Sequence, residues 1–176
     1  RFNAVSMARF SMLRSFLLRP SRVQHAPQQY SVTSSCNGRL KSSALLIAKL
    51  RAQGFEVNAG VANMPTAFVA SYGSGKPIIG ILAEYDALPG LSQKVKTDRE
   101  PVNLGEPGHA CGHSGLGAGA MGAAVAIKRA MEKHGLSGTI RLYGTPAEET
   151  VIGKVYMLLD GQFDDLSTAS TTALVS

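Results

Sequence analysis

The run Ile78-Ile79-Gly80-Ile81-Leu82-Ala83 constrains this chain most, because it is apolar at almost every position and then gives way to acids at Glu84 and Asp86. A strand with one wet face alternates apolar and polar residues, so an unbroken run is expected to be central and covered on both faces. Neighbouring segments supply the cover. Leu40, Ala44, Ile47 and Ala48 recur at helical spacing before Gly54, which predicts a helix over 39–53 ending in a left-handed cap. Glu56-Val57 opens an extended stretch, residues 66–72 read as a strand closed by Gly73-Ser74-Gly75-Lys76-Pro77, and residues 138–144 read as another. Residues 115–133 predict a helix whose small side chains (Gly117, Gly119, Ala120, Gly122, Ala123, Ala124) let it lie very close to a sheet. Close packing is the expected compensation for glycines that cost about 1 kcal/mol each relative to alanine. Residues 91–108 read as a long loop of the functional kind, 154–159 as a short amphipathic helix, and 167–176 as a Ser/Thr/Ala tail with little to bury. Strands alternating with helices argue for an α/β fold, in which ligands collect beyond the carboxyl ends of the strands.

With 176 residues, 44% hydrophobic, the chain is long enough for one core. Its longest apolar runs, 78–83 and 118–127, fall far short of the roughly 20 residues that span a bilayer, so no membrane span is expected. Cys36 and Cys111 are expected to be reduced, since two thiols do not make the dense framework of a small secreted domain. The net charge of +6 is uneven: residues 1–55 hold nine Arg or Lys and no acid, whereas the remainder holds nine basic against twelve acidic residues. A basic arm on a mildly acidic body offers no continuous stripe for nucleic acid. Three regions are expected: a basic arm at 1–38, transit-like or unstructured, a catalytic-type body at 39–166, and the tail at 167–176. The expected compartment is the cytoplasm, or the mitochondrion if the arm is a targeting segment.

Two clusters can carry chemistry. Gly108-His109-Ala110-Cys111-Gly112-His113 offers imidazole and thiolate within a few positions, donors that favour zinc and its transition-metal neighbours. Taken alone, such a turn is as readily structural. Glu148 and Glu149, just past the end of a buried strand, need a cation or donors beside them if they are desolvated. One of the pair can bind a metal while the other takes a proton from water, although a solvated pair at a helix start is the plainer alternative.

The order Glu84-Tyr85-Asp86-Ala87-Leu88-Pro89-Gly90, loop, Gly108 to His113, small-residue helix, strand, Gly144-Thr145-Pro146-Ala147-Glu148-Glu149 resembles the M20 peptidases. Within that family the resemblance is to the branch of aminobenzoyl-glutamate hydrolases and related amidohydrolases, and it extends over about residues 40–166, including 62–67 and 161–165. It implies a zinc-peptidase-like catalytic domain, here incomplete, built on a mixed twisted sheet flanked by helices. It also implies two divalent ions, Zn or Mn, hydrolysis of a small amide or dipeptide, and a homodimer formed through a lid domain. By position, Cys111, His113 and Glu149 would be metal ligands, Cys111 as a bridging thiolate, with Glu148 as general base and Asp86 orienting a ligand. The resemblance leaves Glu84 open and has His109 support the turn rather than bind metal.

This chain departs from the family at Ser114, where relatives carry Asp or Asn, so the His113 ring is expected to need another partner. Further metal-binding histidines, which the family supplies after the Glu pair, do not follow Glu149 here. The 176 residues alone are therefore expected to hold metal weakly and to be inactive. Two other readings compete: a thiol hydrolase with Cys111 as nucleophile and His113 as base, and a non-catalytic binding or assembly protein that keeps half the fold.

Overall fold

The computed structural model describes residues 36–150 and 153–171. The basic arm expected at 1–38 thus lies outside the described residues, apart from its last three, which open the first helix. In chain order the elements are α1 (Cys36–Ala52), β1 (Glu56–Ala59), a 3-10 turn (Val61–Asn63), β2 (Phe68–Ser74), β3 (Ile78–Glu84) and α2 (His113–His134). There follow β4 (Gly138–Thr145), a second 3-10 turn (Glu148–Thr150), α3 (Gly153–Leu159) and β5 (Thr168–Thr171). None of the described helices is long and apolar enough to cross a membrane.

The five strands form one mixed sheet in the order β1-β2-β4-β3-β5. β2 runs antiparallel to β1 and β4, whereas β3 runs parallel to β4 and β5. The expected α/β class and mixed sheet are thus what the chain adopts. β3 sits inside the sheet and its side chains alternate between two cores, which is why it needs apolar residues at nearly every position. On one face Ile81 and Ala83 join Phe68, Ala70, Ile140 and Leu142 under α1 and α2. On the other, Ile78 joins Val69, Tyr143, Met157 and Leu166.

Besides α1 and α2, which begin three and two residues before the expected 39 and 115, two elements differ from expectation. β2 begins two residues later than predicted and continues through Gly73 and Ser74, because these still pair with Thr139 and Gly138 of β4. The tail expected at 167–176 contributes β5, in which Thr168, Ala169 and Ser170 are exposed and bury little. It is held through backbone pairing with β3 over Ile79 to Leu82 and by the Ser167 hydroxyl, which accepts from the Ile78 N–H at 3.0 Å. The 91–108 segment is irregular, as expected, and a reciprocal pair of backbone hydrogen bonds between Leu88 and Gly108, both 3.0 Å, ties its ends together.

α2 approaches the sheet along one seam only. Gly117, Ala120 and Ala124 are buried against it, and a Cβ on Gly117 would come within 2.7 Å of the Glu84 carbonyl oxygen. Gly119 and Gly122, expected to share that contact, face open space. The seam follows the helical repeat, so a stretch rich in small residues on all sides still buries only one of them per turn. Its consequence is positional: the first turn of α2, with His113, is drawn onto the carboxyl end of β3.

Candidate metal centre

Three chain segments converge past the carboxyl ends of β3 and β4. β3 delivers Glu84 and, two residues on, Asp86, so both side chains emerge on the same side of the strand direction. Glu84 is 4% exposed, Asp86 1% and His113 2%, and buried acids require partners. The first turn of α2 supplies His113, with Cys111 exposed just before it. After β4 the chain turns at Ala147, which has φ 62, and enters the 3-10 turn that holds Glu148 and Glu149. A left-handed backbone at a residue with a Cβ costs roughly 1–2 kcal/mol, and here it sits directly before the two acids.

The ring of His113 is the hub. Its Nδ1 lies 3.1 Å from Asp86 Oδ1 and 3.7 Å from Glu149 Oε1, while Nε2 lies 3.5 Å from Glu84 Oε2 and 3.6 Å from Glu148 Oε2. An ionised carboxylate can only accept, so Nδ1–H donates to Asp86 and Nε2 keeps its lone pair. The other oxygen of Asp86 accepts the backbone N–H of Glu149 at 3.1 Å. One carboxylate therefore ties together the helix that carries His113 and the turn that carries the Glu pair. Ser114, the departure noted in the sequence, is exposed, and the ring is oriented across the site by Asp86 instead.

Two groups of potential ligands share the ring: Cys111, His113 and Glu149, and Glu84, His113 and Glu148, each with donor atoms within 4.8 Å of one another. In the first group Glu149 Oε1 is buried and has no hydrogen-bond partner, the condition of a carboxylate oxygen shaped to face a cation. Thiolate, imidazole and carboxylate together make a donor set that suits a divalent transition metal, so the residues fit such an ion. The Cys111 thiol is pushed above its ordinary range by partial desolvation and by the carboxylates of Glu149, Glu148 and Glu84. That is opposite to the electropositive surroundings that activate a nucleophilic cysteine.

All five residues singled out in the sequence, Asp86, Cys111, His113, Glu148 and Glu149, come together here, and His109 lies exposed outside both groups. Sequence reasoning missed Lys154. Its ammonium donates to Glu84 Oε1 and lies 4.0 Å from Glu148 Oε1, making it, among the described residues, the one Lys or Arg paired with these carboxylates. No periodicity or motif marks it, because the partner lies 70 residues away.

The sequence profile of peptidase family M20/M25/M40 matches residues 80–170, more than half of the chain, and takes in every residue of the site. The chain belongs to this family. Among relatives of M20 type, a p-aminobenzoyl-glutamate hydrolase subunit of Escherichia coli (strain K12) is 47% identical over 131 residues, 74% of this chain and 27% of that protein. Hippurate hydrolase of Campylobacter jejuni is 30% identical over 128 residues, 71% of this chain and 31% of that protein. The chain thus spans about a quarter to a third of the length of these relatives. A Bacillus subtilis protein solved as a dinuclear metal-binding peptidase of family M20 superposes with a TM-score of 0.63 at 23% identity, covering 76% of this chain and 36% of that one. That likeness establishes the shared fold.

Proposed function

We propose that this chain carries part of the catalytic centre of a metal-dependent amide hydrolase that cleaves an acyl-amino acid or a dipeptide. The observation that carries the reading is the buried, unpartnered Oε1 of Glu149 beside Cys111 and His113. Cys111, His113 and Glu149 would hold a divalent ion, Zn or Mn. The whole enzyme would hold two such ions, with Cys111 contributing a thiolate and the remaining ligands coming from outside Cys111, His113 and Glu149. When bound, the metal supplies Lewis acidity toward the scissile carbonyl and lowers the pKa of water.

The chain's own residues do the rest. Glu148 is the most exposed of the four carboxylates, its side chain 35% exposed against 20% for Glu149, and it takes the proton of the attacking water and returns it to the departing amine nitrogen. Asp86 keeps the His113 ring in one tautomer and fixes the Glu149 backbone, so that the two ligands keep their relative orientation. The raised thiol of Cys111 speaks against a cysteine nucleophile, which needs an accessible thiolate at neutral pH. The relatives' names, hydrolases of p-aminobenzoyl-glutamate and of hippurate, support an amino-acid amide as substrate. The Escherichia coli relative is named as one subunit of its hydrolase, which supports a multi-subunit assembly, and we assign that assembly as a homodimer formed through a lid domain.

The test is Glu148→Gln in the complete, metal-loaded enzyme, carrying the further segments its relatives have, assayed on p-aminobenzoyl-glutamate and on hippurate. Turnover is expected to fall about 10²–10⁴-fold with metal content unchanged. Near-wild-type rates in the variant would overturn the general-base assignment. A complete protein that binds metal and folds but hydrolyses neither amide favours the non-catalytic reading.

A further inference from the structure

Of the two ligand groups that share His113, one already contains a cation. Glu84 is almost fully buried: its Oε1 accepts from the ammonium of Lys154, and its Oε2 lies 3.5 Å from the unprotonated His113 Nε2 without a hydrogen bond to it. Glu148, the third member of that group, faces the same ammonium from 4.0 Å. The placement of Lys154 is built into the backbone. Gly153, at the start of α3, is buried against the Pro146 carbonyl so closely that no Cβ fits there, which fixes the next residue over the acids. Among the described residues no Lys or Arg pairs with the other group, Cys111, His113 and Glu149, which instead has the orphaned Glu149 oxygen.

We propose that Lys154 is a positioning residue, the resident counter-ion of the Glu84, His113 and Glu148 group, which keeps Glu84 from ligating metal and so directs the divalent ion to Cys111, His113 and Glu149. A dication entering the Glu84 group must displace an ammonium from a buried carboxylate or accept like charge beside it, and both oppose binding. Glu84 is then a structural acid that shapes the floor of the site and neutralises Lys154. The same ammonium faces the general base, so it also holds the Glu148 carboxylate in place next to the ring.

The inference rests on the metal reading above, and cobalt titration of the 176-residue chain separates the two. Co²⁺ bound through Cys111 has a thiolate charge-transfer band that reports the occupied group directly. In the wild-type chain a single equivalent with that band is expected. Lys154→Met, which keeps the aliphatic stem, should admit a second equivalent, bound at least about tenfold tighter than any second equivalent in wild type. Lys154→Arg should behave as wild type. Glu84→Gln should leave the affinity of the first equivalent within about twofold, whereas Glu149→Gln weakens it about tenfold or more. The Glu84→Gln arm decides the matter even where Lys154→Met fails to fold. An equal loss in Glu84→Gln and Glu149→Gln would make Glu84 a ligand and overturn the proposal, as would a folded Lys154→Met that gains nothing. Absence of cobalt binding in every form refutes the metal reading itself.

Discussion

Replacing Asp86 by Asn tests how the centre is held together, because the side chain keeps its shape and loses one acceptor. Asp86 accepts from His113 Nδ1–H and from the Glu149 N–H, both at 3.1 Å and both in a buried position. An asparagine can keep its oxygen toward Glu149 only by turning its NH₂ toward Nδ1, which forces the ring proton onto Nε2. Hydrogen bonds to charged groups contribute about 1.5–3 kcal/mol against about 0.5–1.5 for neutral ones, so two such exchanges cost on the order of 2 kcal/mol. Loss of one negative charge among Glu84, Glu148 and Glu149 relieves repulsion in the metal-free chain and offsets part of that cost. Apo stability should therefore move by under about 2 kcal/mol, a few degrees in Tm for a domain of this size. Metal affinity has no such offset, since the Nε2 lone pair is lost, and it should fall about 10- to 100-fold, or about 1.4–2.7 kcal/mol. The assay pairs thermal unfolding of the apo chain with competition against a zinc chelator. Unchanged affinity in Asp86→Asn would refute the orienting role, and a loss of stability above about 4 kcal/mol would make Asp86 a structural residue first.

Two further outcomes follow from the packing and the surface. Gly117→Ala places a methyl against the Glu84 carbonyl and Tyr85, so α2 must shift. Calorimetry should show a loss of about 1–3 kcal/mol, with metal affinity reduced because His113 moves along with the helix. Asp165, whose two oxygens accept from Arg141 at 2.6 and 2.8 Å, has its carboxyl held below the usual range by that guanidinium. A depressed carboxyl contributes stability above its unfolded value and loses it as pH falls through the folded one. Asp165→Asn should thus cost under about 1 kcal/mol at neutral pH, small because the pair is half-exposed, and progressively less as pH falls below the ordinary carboxylate range, as read by urea unfolding across that range.

The parts of the fold that were legible are those where one residue type answers one physical demand. β3 was legible because both of its faces are buried, whereas Glu84 at its end was visible only as an acid whose role stayed open. β5 was not legible, because Thr168–Thr171 join the sheet through backbone hydrogen bonds that leave no pattern in the side chains. The glycine-rich helix was legible as a helix, but its contacting seam depends on the rotation of α2 about its own axis, which six small residues do not specify. At the site, the resemblance named Asp86, Cys111, His113, Glu148 and Glu149, and the structure brings them together. The pairing of Glu84 with Lys154 depends on how α3 packs, through Met157, on one face of the sheet, so no local signal announced it.

The central claim is that Cys111, His113 and Glu149 form a metal-binding group, and equilibrium dialysis of the 176-residue chain against zinc, with elemental analysis, tests it most directly. Wild-type chain is predicted to retain zinc, weakly but in stoichiometric amount, and Cys111→Ala and Glu149→Gln to lose it with affinities at least about tenfold lower. A folded wild-type chain that retains none, or variants that retain as much as wild type, would contradict the account.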